Sequence, residues 1–173
     1  MALTRLGLNQ SINLASNVTG TLATGNGGTG ATSFAPGKIG QVLQVSTKTH
    51  TTTNSTSYVD CTNMSLNITP TATSSKILAI ANFGGLFAGG TDLDAIRLRI
   101  VRDSTEIGKL NNVLYKTNDD EILTCVPITS LDSPSSSSQL TYKLQMESRL
   151  SNNVQINADG GSDTSLTLME VLA

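Results

Sequence analysis

From residue 40 onward, apolar side chains recur at every second position, and this constrains the fold more than any other feature of the chain. Leu140, Tyr142, Leu144 and Met146 alternate with Thr141, Lys143, Gln145 and Glu147. Successive side chains of an extended strand point to opposite faces, so such a stretch is a strand with one wet face, whereas a helix would need apolar spacings of three and four. Ile96, Leu98 and Ile100 alternate with Arg97, Arg99 and Val101 in the same way. Ile77-Leu78-Ala79-Ile80-Ala81 is apolar on both faces and reads as a more buried strand. Residues 41–48, 57–62, 64–68, 121–128, 153–158 and 164–172 are further strand candidates. Turn chemistry separates them: Thr69-Pro70, Gly89-Gly90, Asn118-Asp119-Asp120, the run Ser133–Ser138 and Asp159-Gly160-Gly161. Many short strands with turn signals between them predict an all-β chain, an antiparallel β-sandwich or jelly roll. The one weak helical stretch is 104–116.

The composition agrees. Charged residues make up 14% and apolar ones 38%, and Ser, Thr, Asn and Gly fill the difference. These are poor helix formers suited to turns and exposed β-surfaces. At 173 residues the chain has room for one core of ordinary size plus an extension. A net charge of −2 and a pI near 5.2 provide no basic field for nucleic acid or an anionic membrane. No run approaches the ~20 apolar residues of a membrane span, so membrane insertion is not expected. The start, Met1-Ala2-Leu3-Thr4-Arg5, lacks the features of a secretory signal, which implies assembly in a cytoplasm. Cys61 and Cys125 match no metal spacing, and both are expected to be buried free thiols.

The first forty residues differ from the rest. Leu14, Val18 and Leu22 are isolated among Ser, Thr, Asn and Ala, and Gly25-Asn26-Gly27-Gly28-Thr29-Gly30 is almost a glycine linker. Glycine loses the most entropy on ordering, so such a run becomes rigid only against a neighbour. Residues 1–40 are therefore expected to form an extended N-terminal arm, with 41–173 as the β-domain. Leu14, Val18, Leu22, Gly27, Gly28 and Gly30 are the candidate attachment residues.

The motifs that could carry chemistry are thin. Gly25–Gly30 matches G-x-G-x-x-G by spacing but lacks the strand before it and the helix after it that a dinucleotide site needs. His50 is the only histidine and sits in the polar stretch Lys48–Thr53, where it reads as a surface residue. Asp92, Asp94, Asp119, Asp120 and Glu121 have no calcium-loop spacing and read as turn carboxylates. Asn-x-Ser/Thr triplets such as Asn17-Val18-Thr19 follow from the Ser and Thr content. Arg97 and Arg99 share one strand face. They are either solvated or paired across a subunit contact, where a guanidinium suits bidentate carboxylate binding. No catalytic, cofactor-binding or metal-ligating residues are assigned.

Asn13-Leu14 through Thr21-Leu22, followed by Gly27-Gly28-Thr29-Gly30-Ala31-Thr32-Ser33, resembles the "GGTGATS" segment of phage tail-fibre and related virion proteins. The core resembles domains of marine and cyanobacterial phage proteins. The matching pieces are Gln41–Val45, Ser57–Asp60, Leu66–Pro70, Ser74–Leu78, Arg97–Asp103 with Ile107-Gly108, and Leu166–Val171. The resemblance implies a structural subunit of the virion, assembled in the host cytoplasm, without catalytic residues. It also implies a homo-oligomer, expected as a trimer, that joins other capsid or tail proteins. The two-sided apolar strand Ile77–Ala81 fits that expectation, because a symmetric neighbour is an economical second partner. The function expected is a non-catalytic fibre or knob subunit displayed through its N-terminal arm. Two alternatives stay open: a capsid cement or decoration protein, and a lectin-like receptor-binding tip gripping host glycan through loops 84–94 or 111–120. An enzyme on polysaccharide would need paired carboxylates in a long groove, for which about 130 core residues leave little room.

Overall fold

In the computed structural model, residues 38–89, 95–114 and 123–172 are described, all within the unit Lys38–Ala173. Ten strands make up this part: β1 (Ile39–Thr47), β2 (Thr51–Thr53), β3 (Val59–Ile68), β4 (Lys76–Ala88), β5 (Ile96–Arg102), β6 (Thr105–Val113), β7 (Thr124–Asp132), β8 (Leu140–Ser148), β9 (Val154–Ile156) and β10 (Thr164–Val171). They form two antiparallel sheets, as the period-two pattern requires. The first sheet has the order β1-β10-β4-β9-β2, with β7 pairing the other side of β4, and the second runs β3-β8-β5-β6. The expectation of an all-β sandwich holds.

The core lies between the sheets. From the first come Ile77, Ala79, Ala81 and Phe83 of β4 with Leu166 and Leu168 of β10; from the second come Leu98 and Ile100 of β5 with Tyr142, Leu144 and Met146 of β8. Each of these side chains is fully buried. Burying a large aliphatic or aromatic side chain contributes about 1.5–3 kcal/mol, so the alternation itself drives the two sheets together.

Residues 77–81 form only the first part of a much longer strand. β4 runs through Gly84-Gly85, where its register against β7 shifts between Phe83 and Leu86; beyond the shift Leu86 still pairs with Thr124 of β7, while Phe87 and Ala88 pair with β9. A Cβ on Gly84 would lie 2.5 Å from the Asp163 carbonyl oxygen, and Gly85 has φ +52°, so both positions require glycine. Asn157, buried and at φ 54°, closes the bend. Its backbone N–H donates to the Gly84 carbonyl and its side-chain amide donates to the carbonyls of Thr47 and Thr49, while Thr164 Oγ1 donates to Asn157 Oδ1.

Several expectations change. The segments 57–62 and 64–68 are one strand, β3, broken by a bulge between Asp60 and Ser65, with Asn63 at φ 61°. The helical stretch 104–116 is instead strand β6 over Thr105–Val113, because a two-residue turn at Asp103-Ser104, with Asp103 at φ 51°, folds it back onto β5. Residues 84–88, expected in a loop, continue β4. Thr51–Thr53 is a short strand, β2, paired with β9. Cys61 is buried as expected, but Cys125 is exposed, because it points outward from the edge strand β7. Leu14, Val18, Leu22, Gly27, Gly28, Gly30, residues 1–37 of the arm expected over 1–40 and the carboxylates Asp92, Asp94, Asp119, Asp120 and Glu121 lie outside the described residues, while Ile39 and Gly40, expected in the arm, begin β1.

Candidate functional site

The two sheets present outer faces of opposite chemistry. On β3-β8-β5-β6 the outward residues are charged and paired with one another. Arg97 Nη1 donates to Glu147 Oε1 at 2.9 Å, across the register pair that joins β5 to β8. Arg99 Nε donates to Gln145 Oε1 at 2.7 Å, and Arg99 Nη1 lies 3.2 Å from Glu106 Oε2. Lys143 Nζ and Gln145 Nε2 both donate to Asp60, at 2.8 and 2.6 Å. Arg99 also stacks on Tyr58, 3.8 Å from the ring centroid. Burial pushes the Tyr58 hydroxyl pKa up, with the carboxylates of Glu147 and Glu106 adding to it. Burial also acts to raise the Asp60 pKa, but hydrogen bonds from Gln145 and Lys143 hold it below the usual carboxylate value. Arg97 and Arg99, which the sequence places on one face, therefore do share a face and find carboxylates within their own chain.

The outward face of the four strands β1, β10, β4 and β7 is built differently. Register aligns Val42, Met169, Leu78 and Leu131 in one row across the sheet. The next row is Gln44, Thr167, Ile80 and Thr129, and the one after is Ser46, Ser165, Asn82 and Pro127. None of these twelve positions is charged. Val42 is 54% exposed and Leu131 53%, and Ile39, 50% exposed, extends the apolar strip beside Val171 at one end. Lys38 and Lys76 border that end, around a shallow hollow of about 270 Å³ that Leu131, Val171 and Leu172 also line. Single exposed aliphatic side chains are ordinary, whereas a contiguous apolar row in an uncharged field marks an interaction surface. Alternation in the sequence could not reveal this surface, because the row forms only when four strands come into register.

Two buried polar clusters hold the sandwich that carries these faces. Arg102 Nη1 of β5 reaches both carboxylate oxygens of Asp132 on β7, at 2.7 and 2.6 Å, and the Tyr142 hydroxyl of β8 donates to Asp132 Oδ2 at 2.7 Å. This cluster ties one sheet to the other. Burial acts to lower the Arg102 pKa, but hydrogen bonding and charge from Asp132 raise it overall; burial followed by Asp132 raises that of Tyr142. Glu170, on the inner side of β10, accepts from Gln41 Nε2 at 2.8 Å and from the Thr71 N–H and hydroxyl at 2.6 and 2.7 Å. These carboxylates are fully engaged in holding strands.

His50 is exposed, as expected, and its Nε2 shares a hydrogen bond of 2.9 Å with Gln155 Oε1. Gln155 also lines a hollow of about 300 Å³ with Phe87, Leu123 and Ala158. Among the described residues, no group of three or more His, Cys, Asp or Glu side chains could hold a metal ion.

No protein-family model matches this sequence, and no curated protein matches it. Solved structures do match. A Stig cyclase, Fisc, from Fischerella sp. TAU aligns with a TM-score of 0.36 and 17% identity, covering 62% of this chain and 54% of that one. A second cyclase structure from the same organism aligns at 0.34 and 16% identity, over 64% and 61% of the two chains. The VP2 subviral particle of infectious bursal disease virus aligns at 0.38 and 13% identity, over 77% of this chain and 38% of that one. The chain spans less than two thirds of the length of each of these proteins. At such scores the likenesses carry no functional argument.

Proposed function

We propose that this chain is a non-catalytic structural subunit of a bacteriophage virion, a fibre or knob protein acting as a homo-oligomer and displayed on the particle through its N-terminal segment. The observation that carries this reading is the contrast between the two outer faces. One sheet closes its charges upon themselves, and the other offers an uncharged surface crossed by the row Val42–Met169–Leu78–Leu131. A subunit must give up surface to its neighbours, and depletion of charge at the centre of a face is how such contacts differ from ordinary surface. The resemblance of the segment around Gly27-Gly28-Thr29-Gly30 to virion proteins supports the same reading, with attachment through residues 1–40 as part of the proposal. A cement protein on the capsid shell would use its surfaces in the same way.

Mass spectrometry and immunogold imaging of purified particles from the phage that encodes the chain test this reading. The protein should be present at a defined place on the particle. Deleting residues 1–35 should leave the oligomer intact and abolish incorporation; absence of the full chain from particles, or unchanged incorporation of the truncated one, refutes the proposal. One observation favours a receptor-binding role for the same subunit: the hollow beside Phe87, whose ring could serve as a platform for a sugar. Binding on a glycan array that Phe87→Ala abolishes would support that role.

A further inference from the structure

We infer that the hollow beside Phe87 and Gln155 is a subsite for a single neutral hexopyranose, stacked on the Phe87 ring and oriented by the Gln155 amide. The inference rests on the receptor-binding reading of this hollow and deepens it, naming the ligand's charge and size and the polar group that selects it.

Strand register places these residues. Gln155 of β9 pairs with Phe87 of β4 on one side and with Thr52 of β2 on the other, so the three form one row across the strands. Val154 and Ile156 are fully buried while Gln155 is partly exposed, which makes this row the outward one. Residues directly opposite in antiparallel strands have Cβ atoms ~4.5–5.5 Å apart, so the amide stands beside the ring. The ring has room because position 89 is glycine: a Cβ there would lie 3.4 Å from Phe87 Cε1. Leu123 and Ala158 extend the apolar side, and the hollow has a volume of about 300 Å³. Ligand pockets start at roughly 300 Å³, so there is room for one six-membered ring with its hydroxyls and little more.

The polar side is neutral and set in advance. His50 Nε2 lies 2.9 Å from Gln155 Oε1. With Nε2 as the donor, the imidazole occupies the amide oxygen and leaves both Nε2 donors of Gln155 for a ligand. The lining disfavours three other kinds of molecule. A wholly apolar one would cover those donors without pairing them. An anion finds no cation among Phe87, Leu123, Gln155 and Ala158, and the exposed Asp159 follows directly after Ala158. A cation would meet the Gln155 donors, and the Asp159 carboxylate is already taken up by the N–H groups of Gly161 and Ser162 and the Ser162 hydroxyl. A pyranose meets every requirement. Its C–H groups carry partial positive charge and sit on the negative face of the aromatic ring, while its hydroxyls accept from the amide.

Saturation-transfer NMR of the full chain with the methyl glycosides of glucose, galactose and mannose tests this. At least one should bind with a Kd on the order of 1 mM, while N-acetylneuraminic acid and adenosine should not bind. Phe87→Ala should abolish the transfer, and Phe87→Tyr should keep it. Gln155→Leu, which removes the donors from a partly exposed position, should weaken binding by about 10-fold or more. His50→Ala, at an exposed position outside the strands, gives a second polar variant that should weaken binding several-fold, with circular dichroism reporting the fold of each. Leu131→Asp, at an exposed position of β7 away from the hollow, should change nothing. No binding of any neutral hexoside, undiminished binding by folded Phe87→Ala or Gln155→Leu, or a preference for the acid or the nucleoside overturns the inference. Glycan-array binding that both variants leave unchanged would sink this subsite and spare a receptor role. Particle incorporation is a separate readout: a chain found in virions that binds no hexoside loses the subsite and keeps the structural role, whereas a hexoside-binding chain absent from virions does the reverse.

Discussion

Replacing Glu170 with Gln should make the acid sensitivity of this protein readable as the work of one carboxylate. Glu170 lies on the inner side of β10 with no accessible surface, and its two oxygens hold Gln41 of β1 and both donors of Thr71 after β3. Burial acts to raise its pKa, but the hydrogen bonds from Gln41 and Thr71 outweigh it and bring the value down from 4.5 to about 2. The folded-state pKa lies below the unfolded one, so the unfolded chain binds the proton more readily. The stabilisation is therefore complete above the unfolded value near 4.5 and is lost as pH falls through the folded value near 2. Each unit of separation corresponds to about 1.4 kcal/mol, which between 4.5 and about 2 gives roughly 3.5 kcal/mol. The amide of a Gln side chain can still accept from Thr71, so about 2–3 kcal/mol is the expected loss in the variant. Urea unfolding of wild type and Glu170→Gln at pH 7, 5, 3 and 2 measures it. The variant should be less stable by about 2–3 kcal/mol at pH 7 and should come within about 0.5 kcal/mol of the wild type at pH 2, where half of the folded wild type is already protonated. A difference of the same size at every pH would refute the reasoning, because it would mean that packing, and not the charge, is what Glu170 contributes.

Asp132→Ala leaves the Arg102 guanidinium and the Tyr142 hydroxyl without their shared acceptor between the sheets and should cost about 3 kcal/mol in chemical denaturation. Arg102→Met combined with Asp132→Leu should recover at least half of that loss, and purely additive effects in the double-mutant cycle would show that no coupling exists. Gly84→Ala drives a Cβ to 2.5 Å from the Asp163 carbonyl oxygen and should lower stability by about 1–3 kcal/mol, whereas Gly161→Ala, with open space around it, should change it by less than about 0.5 kcal/mol. Equal effects in thermal melts would remove the close-approach argument. Tyr58→Phe keeps the ring under Arg99 and deletes a buried hydroxyl that has no hydrogen-bond partner, so stability should stay equal or rise by up to about 1 kcal/mol; a clear loss would mean that the hydroxyl is satisfied in solution.

The sandwich was legible from alternation because period two fixes which residues of β5, β8 and β10 face inward without any knowledge of their partners. Strand ends were harder to read wherever a single backbone feature overrides the pattern. Nothing local indicates that β4 continues through Gly84-Gly85, since glycine pairs read as turns; there they permit a bend against Asp163 and Asn157. The segment 104–116 looked faintly helical because Glu106, Lys109 and Leu110 suit a helix, yet the Asp103-Ser104 turn commits it to pairing with β5. Cys125 was misplaced because β7 is an edge strand, and an outward residue on an edge strand stays exposed even in an apolar sequence.

The uncharged outer face depends on register, so no single segment reveals it, but the chemistry of each strand's outward side is written into the alternation. The outward series of β8 is Thr141, Lys143, Gln145 and Glu147; that of β10 is Ser165, Thr167, Met169 and Val171. Both strands have the same period and equally apolar inner faces, and only the wet side differs. A strand whose outward positions carry charge can pair those charges with its neighbours and stop there, as Glu147 does with Arg97 and Lys143 with Asp60. Of the outward positions of β10, Thr167 accepts a hydrogen bond from Gln44, whereas Met169 and Val171 have no charge to pair, and every neighbour that brings Val42, Leu78 or Leu131 alongside enlarges the apolar surface left over. Outward chemistry, read strand by strand, thus separates the sheet whose charges pair with one another from the sheet whose outer face carries none in its three central rows.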